Sequence, residues 1–185
     1  MSGPALDPGP EQGLDPDPAP ILVTVGTQLP FARLIDAMDA LAPSLGRPVI
    51  AQVGPLPGGA AAAAARWPRL RAVPLIGAAE FAGLAARAFA IVGHAGIGTL
   101  LSARAHGCPA ILEPRRAALG EHRNEHQLAT ARRLEGRPGV AIAWEMDALG
   151  ALLADPPRPP GAGESAPSDL AALCGRLARF IDEGR

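Results

Sequence analysis

The clearest chemical signal in this 185-residue sequence is a glycine-rich segment at residues 93–99, GHAGIGT, which precedes an apolar helical pattern. Gly96 and Gly98 would expose backbone N–H groups, and Thr99 adds a hydroxyl group. At the N-terminus of a helix such donors favour an anion, and the segment would suit a diphosphate. It does not match a dinucleotide fingerprint, because the third glycine of that pattern falls at Leu101. Close packing of a helix on a sheet, with no ligand, is the alternative interpretation.

A second segment, residues 113–127, concentrates arginine and histidine side chains. Guanidinium groups bind phosphates and carboxylates in bidentate fashion. The arginines of this segment are Arg115, Arg116 and Arg123. His122 and His126 are spaced i, i+4, so on a helix they would share a face and, with a neighbouring glutamate, could hold a metal ion. The order is not H-E-x-x-H and no third ligand is evident, so we expect no metal. The alternative interpretation is a solvated helix start in which Glu and Arg side chains pair with each other.

These segments lie within an alternation of strand and helix patterns. Six short apolar runs predict strands, several of them apolar throughout, as in strands buried on both faces. The runs are 21–25, 48–53, 71–75, 89–93, 109–113 and 140–144. Helical patterns intervene at about 31–45, 78–88, 97–106, 123–135 and 146–154, and the alanine run at 60–65 is either a helix or a loop.

The alternation predicts an α/β, Rossmann-like layered fold with a parallel sheet and helices on both faces. Ligands in such sheets bind outside the carboxyl ends of the strands. The loops to inspect are therefore those after the strands, including Gly26-Thr27 after the first strand, where glycine allows a tight turn and close backbone approach. An ordinary strand–helix turn is equally consistent with Gly26-Thr27.

Proline-rich segments mark the expected domain boundaries. Residues 1–20 are rich in Pro, Asp and Gly, and we expect a disordered leader there, because such a segment buries too little apolar surface to fold. The folded domain is expected over 21–154, followed by a Pro-rich linker at 155–168. An amphipathic pattern within 169–185 predicts a C-terminal helix that docks on a partner or on the domain's own sheet.

The composition argues against several functional classes. All 17 basic residues are arginine, so a Schiff-base lysine and a Walker-type lysine are excluded. The net charge of -1 argues against a nucleic-acid binder, which is usually basic. Two cysteines exclude a disulfide framework and an all-Cys zinc site. No apolar run approaches the roughly 20 residues of a membrane span and no signal-peptide pattern is present, so we expect a cytoplasmic protein.

Three motifs together resemble the C-terminal domain of glycosyltransferase family 28, over about residues 20–154. They are VTVGT at 23–27, GHAGIGT at 93–99 and PRRAALGEHRNEHQLATA at 114–131. The specific part is HAGxGT followed about 25 residues later by an N-x-HQ segment. The subgroup that the chain resembles is the PssE-like glycosyltransferase subunits of bacterial exopolysaccharide synthesis. These are similar to the soluble catalytic subunit of the two-chain N-acetylglucosaminyltransferase of the dolichol pathway.

The resemblance implies the donor-binding half of a GT-B glycosyltransferase that takes a UDP-sugar and needs no bound metal. By position, the donor would be held by Gly26, Thr27, Gly96, Ile97, Gly98, Thr99, Asn124 and Gln127. The candidates for catalytic roles are His94, His126 and Arg116. Ser102 stands where relatives usually carry an acidic residue, which some use on the ribose hydroxyls, and Phe89 stands where relatives often have Asp.

The chain has about the length of one domain, so we expect the acceptor-binding half to come from another polypeptide. The resemblance implies a membrane-anchored partner that binds a polyprenyl-diphosphate-linked saccharide and recruits this chain to the inner face of the plasma membrane. The expected reaction is transfer of a hexosyl group, or of a glucuronosyl group whose carboxylate two arginines would recognise. A non-catalytic nucleotide-sugar-binding partner or regulator is the alternative. A third alternative is a complete small enzyme of another class. The absence of a clear acid–base pair argues against it.

Overall fold

The structure, a computed structural model, describes residues 18–27 and 29–159. Of the predicted leader only residues 18–20 are described, and of the predicted linker only 155–159. The predicted C-terminal helix within 169–185 lies outside the described residues.

In the part of the chain that the structure describes, six parallel strands form a single sheet, as the alternation of patterns predicted. The strands are β1 (Ile21–Thr24), β2 (Val49–Gln52), β3 (Arg71–Val73), β4 (Ala90–His94), β5 (Ala110–Glu113) and β6 (Val140–Ile142). Their order is β3-β2-β1-β4-β5-β6, and every neighbouring pair is parallel. This order is that of the Rossmann fold, in which the chain reverses its direction of winding between β1 and β4. The predicted fold class, an α/β layered fold with a parallel sheet, is confirmed.

Six α-helices of the described residues connect and flank the strands. They are α1 (Ala32–Leu41), α2 (Gly59–Arg66), α3 (Ala78–Arg87), α4 (Ile97–Ala105), α5 (His126–Leu134) and α6 (Ala148–Ala154). The alanine run, left open by its sequence, forms α2, since alanine has the highest helix propensity. The helix predicted over 123–135 begins only at His126, so His122 lies in the loop before α5 and not on a shared helix face. None of the helices within the described ranges has the length and apolarity to cross a membrane.

Both faces of the sheet are buried, which explains the uninterrupted apolar runs. Ile21 and Val23 of β1 belong to one core cluster, whereas Leu22 between them belongs to the other. Helices α1, α2 and α6 cover the first face, and α3, α4 and α5 cover the second. All six α-helices of residues 18–27 and 29–159 therefore pack on the two faces, and the loops of this part of the chain occupy the carboxyl edge of the sheet.

Candidate functional site

A cleft of about 320 Å³ opens at the carboxyl edge of the sheet, beside the ends of β1 and β4. The chain leaves these two neighbouring strands in opposite directions, so their loops separate and leave a crevice. The loops after β1, β4 and β5 line it with Val25, Gly26, Thr27, Leu29, His94, Gly96, Arg115, His122, His126 and Gln127. None of these lining residues is acidic.

The imidazole of His94 lies between two of the glycines that the sequence singled out. A Cβ on Gly96 would lie 2.3 Å from His94 Nε2, and a Cβ on Gly26 would lie 3.2 Å from His94 Cε1. The backbone φ of Gly26 is also +77°, a conformation that residues with a side chain rarely adopt. Gly96 is therefore required by the packing of His94, and Gly26 by its positive φ, whether or not a ligand binds.

Gly98 differs from these two glycines. It is exposed in the first turn of α4, and a Cβ there would meet no atom within 4 Å. Neighbouring Ile97 is also exposed, at 52%. The space beside this turn is open, so Gly98 leaves room for a ligand and is not needed for packing.

Thr99 serves the packing of α4 on the sheet. It is only 5% exposed, and its Cγ2 would lie 2.9 Å from a Cβ on Gly93. The same Cβ would lie 2.7 Å from the carbonyl oxygen of Thr24. Gly93 is thus needed for close approach of β1, β4 and α4, and Thr99 is not among the residues that line the cleft.

The N-terminus of α4 supplies unpaired donors beside the cleft. Leu100 is the first residue of the helix whose N–H returns to the Gly96 carbonyl, at 3.3 Å. The N–H groups of residues 97–99 precede that bond and have no partner within the helix, and Gly96, the N-cap, supplies no side chain to cap them. These groups carry the positive end of the helix dipole. The first turn of α4 therefore favours an anion in or beside the cleft.

Arg115 is a buried cation at the cleft. It is 4% exposed, and its Nη2 donates to the carbonyl oxygens of Val25 at 2.8 Å and Leu29 at 2.6 Å. Its backbone N–H donates to Oε1 of buried Gln127 at 3.0 Å. No carboxylate of the described residues lies within ion-pair distance of its guanidinium, and Glu121 acts on it only from farther away. The buried Nε of Arg115 has no hydrogen-bond partner among the described residues.

Burial lowers the pKa of two side chains at the cleft, Arg115 and His94. Burial lowers the pKa of its guanidinium, because removing a cation from water is unfavourable unless an anion compensates it. Burial of His94, together with the charge of Arg115, lowers the pKa of that imidazole to about 4. His94 is therefore neutral at pH 7, and the cleft presents a neutral imidazole beside a guanidinium that has no ion-pair partner among the described residues.

A pair of histidines forms the outer wall of the cleft. The rings of His122 and His126 meet edge to face, with centroids 4.4 Å apart. Oδ1 of Asn124 contacts the ring Nδ1 of His126 and accepts from its backbone N–H at 3.4 Å. Asn124 thus orients His126 without itself lining the cleft. Within residues 18–27 and 29–159, no group of three His, Cys, Asp or Glu side chains is arranged to hold a metal ion.

Arg116 lies apart from the site that its neighbour Arg115 helps to form. Its Nη2 contacts the carbonyl oxygen of Trp144 and donates to Glu145 at 3.0 Å, on the side of β6. Neither Arg116 nor Arg123 is among the residues that line the cleft.

Apart from Arg116, the residues predicted to form the site fall into two groups, those that line the cleft and those that flank it. Those that line the cleft are Gly26, Thr27, His94, Gly96, His126 and Gln127. Those that flank it without lining it are Ile97, Gly98, Thr99 and Asn124.

The supporting role of Gln52 was not predicted from the sequence. This buried residue ends β2, and its Nε2 lies 3.4 Å from the Gly26 carbonyl while its Oε1 accepts from the N–H of Ile76 at 3.0 Å. Gln52 therefore holds the turn at Gly26 against the loop after β3. A polar residue at the end of an apolar run was the available signal, but it does not reveal the partner.

Comparison with known proteins gives a family match and a shared fold. A sequence model described as "Glycosyltransferase family 28 C-terminal domain" matches residues 20–138. No curated protein matches the chain.

Three of the similar solved structures illustrate the fold. CalG4, the calicheamicin glycosyltransferase, is 21% identical with a TM-score of 0.54, over 97% of this chain and 43% of CalG4. MurG of Acinetobacter baumannii is 20% identical with a TM-score of 0.56, over 76% of this chain and 42% of MurG. Os79 from O. sativa, solved in complex with UDP, is 19% identical with a TM-score of 0.50, over 69% of this chain and 28% of Os79.

At these identities the likeness establishes the fold, which is a Rossmann-like unit of the GT-B type. This chain spans less than half the length of each of these three proteins.

Proposed function

Because this chain belongs to the family of glycosyltransferase family 28 C-terminal domains, we propose that its cleft binds the diphosphate of a nucleotide-sugar donor. The observation that carries the proposal is Arg115, a buried guanidinium without an ion-pair partner among the described residues, in a cleft with no acidic lining residue. A diphosphate would supply the missing negative charge. The N–H groups at the start of α4 would bind the same anion.

In the proposed reaction, an acceptor hydroxyl attacks the anomeric carbon of the sugar, and the bond from that carbon to the diphosphate oxygen breaks. The electron pair stays on the diphosphate, whose growing charge Arg115 and the α4 N-terminus would stabilise. The hydroxyl proton passes to a base that the acceptor-binding half or the shared cleft provides.

The histidines of the cleft have separate proposed roles. His94, neutral at pH 7, would hydrogen-bond the donor without adding charge. His126, at the outer wall, would reach the sugar or the diphosphate. Arg116 is engaged by Glu145, so we assign it to holding its loop in place and not to substrate contact.

We further propose that the donor is a UDP-sugar and that a neutral hexosyl group is transferred. The resemblance of the motifs to the PssE-like subunits supports UDP, as does the UDP complex of Os79. Arg115 and Arg116 direct their guanidinium groups to different surroundings, so they offer no joint site for the carboxylate of a glucuronosyl donor.

The acceptor-binding half is proposed to be a membrane-anchored partner that presents a polyprenyl-diphosphate-linked saccharide in exopolysaccharide synthesis. Two observations support a covering partner. The match to this chain covers only 43% of CalG4 and 42% of MurG, which share its fold. Large apolar side chains are also exposed at the same edge of the sheet. They include Leu29 and Leu119, in the connections after β1 and β5, and Ile97, in the first turn of α4.

Calorimetric titration of the chain with UDP, with and without EDTA, tests the proposed site. We expect a micromolar dissociation constant that survives EDTA. Arg115→Gln should weaken binding at least tenfold, because a charge-assisted contact contributes about 1.5–3 kcal/mol. Arg123→Gln, an exposed arginine of the same loop, is the matched control and should leave binding unchanged. Absence of UDP binding, both alone and with a coexpressed acceptor-binding partner, would contradict the proposal.

A transfer assay with that partner then separates an enzyme subunit from a regulator. Transfer of the sugar to a polyprenyl-diphosphate-linked acceptor supports the catalytic proposal. UDP binding without transfer supports a non-catalytic nucleotide-sugar-binding protein.

A further inference from the structure

Beside the cleft, but outside its lining, one arginine joins three elements of the fold. Arg33, in the first turn of α1, donates through Nη1 to Glu113 Oε1 at 2.8 Å. Its Nε and Nη2 donate to the two carboxylate oxygens of Glu121 at 2.6 and 2.9 Å. Glu113 ends β5, and Glu121 lies in the loop before α5. A single guanidinium therefore connects a helix, the end of a strand and a loop.

The bond to Glu113 fixes the position of Arg33. The side chain of Glu113 is fully buried, and burial raises the pKa of its carboxyl group, an effect that the charge of Arg33 opposes. Loss of Arg33 would leave a buried carboxylate without a counter-ion, which is strongly unfavourable. Arg33 is thus anchored to the rigid sheet and presents its remaining donors to Glu121.

The bond to Glu121 fixes a closed loop. The N–H of Glu121 donates to the Arg116 carbonyl at 3.2 Å, and Oε2 of Glu121 accepts from the N–H of Arg116 at 2.9 Å. Partial burial alone would raise the pKa of the Glu121 carboxyl group. Hydrogen bonds from Arg33 and Arg116 outweigh this effect and hold that pKa below its usual value. Glu121 is therefore ionised at neutral pH and ties both ends of the loop 116–121 to α1.

The residues that flank this loop reach the cleft. Arg115 precedes it, and His122, the residue directly after Glu121, lines the cleft and contacts His126. We infer that Arg33 and Glu121 are positioning residues that hold His122, and through it the histidine pair, at the donor site. The inference rests on the proposed function only in taking UDP as the ligand of that site.

Glu121→Ala is the informative variant, because it releases the loop and keeps the buried Arg33–Glu113 pair. We expect UDP affinity to fall about tenfold. We also expect His122→Ala to weaken binding in the native background but to have no further effect in the Glu121→Ala background. A purely structural contribution of Glu121 would instead give additive losses. Glu80→Ala, which removes the exposed pair with Arg71 at 3.1 Å, is the matched control and should change nothing.

Limited trypsin digestion of the full chain tests the same inference without a ligand. Arg123 is exposed and lies two residues after Glu121, so cleavage there should become several-fold faster in Glu121→Ala and stay unchanged in Glu80→Ala. Faster cleavage together with non-additive losses of affinity supports the positioning role. Unchanged cleavage, or additive losses, overturns it. If the native chain binds no UDP, the proposed function fails, and the cleavage rate alone decides the positioning of the loop.

Discussion

Substitution of Gly98 by alanine separates ligand binding from folding at the glycine-rich segment. Gly98 is the second residue of α4, is exposed and does not have a positive φ. A Cβ at this position would meet no protein atom within 4 Å. The variant therefore introduces no clash in the unliganded protein, and any loss of function must come from the space beside the helix.

The expected magnitudes have opposite signs for stability and for binding. Alanine is more favourable than glycine within a helix by up to about 1 kcal/mol, which for a domain of this size corresponds to a rise in Tm of about 2–4 °C at most. A phosphate oxygen bound by the N–H groups of the first turn must approach the backbone where the new methyl group lies. Loss of one charge-assisted hydrogen bond costs about 1.5–3 kcal/mol, or about ten- to a hundredfold in UDP affinity.

Thermal unfolding and calorimetric titration with UDP measure the two effects. Gly83→Ala is the matched control, because Gly83 is also exposed within a helix, α3, with open space around its Cβ position. Both variants should be at least as stable as the native protein, and only Gly98→Ala should lose affinity. A Gly98→Ala variant that binds UDP within twofold of the native value would refute the assignment of the α4 N-terminus to the ligand.

Two further predictions concern stability. Gly93→Ala places a Cβ 2.7 Å from the Thr24 carbonyl oxygen, so we expect a loss of about 1–3 kcal/mol in urea unfolding, and an unchanged midpoint would contradict this packing. The pKa of His94 is lowered from 6.5 to about 4 in the folded protein, so the unfolded chain binds the proton more tightly and stability falls as pH drops from 6.5 to 4, by about 3 kcal/mol in total. His94→Gln should abolish that part of the pH dependence, and an unaltered profile would show that other groups cause it.

The architecture of the sheet could be predicted from the sequence because it depends on local patterns. Strands buried on both faces must be apolar throughout, and β1 and β4 show this over consecutive residues. The start of α5 could not be predicted, because residues 121–125 are held out of the helix by contacts that include the bond from Arg33 to Glu121, 88 residues apart in the chain. No local pattern contains such a pair.

The candidate site was predicted in its residue types but not in the role of each residue. The spacing of glycines indicated close backbone approach, yet only the tertiary structure shows that Gly26 and Gly96 accommodate the ring of His94, whereas Gly98 faces open space. Arg115 and Arg116 are equivalent as sequence and both follow β5, but Arg116 has extended backbone, in which successive side chains point to opposite sides. One guanidinium is thereby buried at the cleft and the other is paired with Glu145, a difference that depends on which elements lie on each side of the strand end.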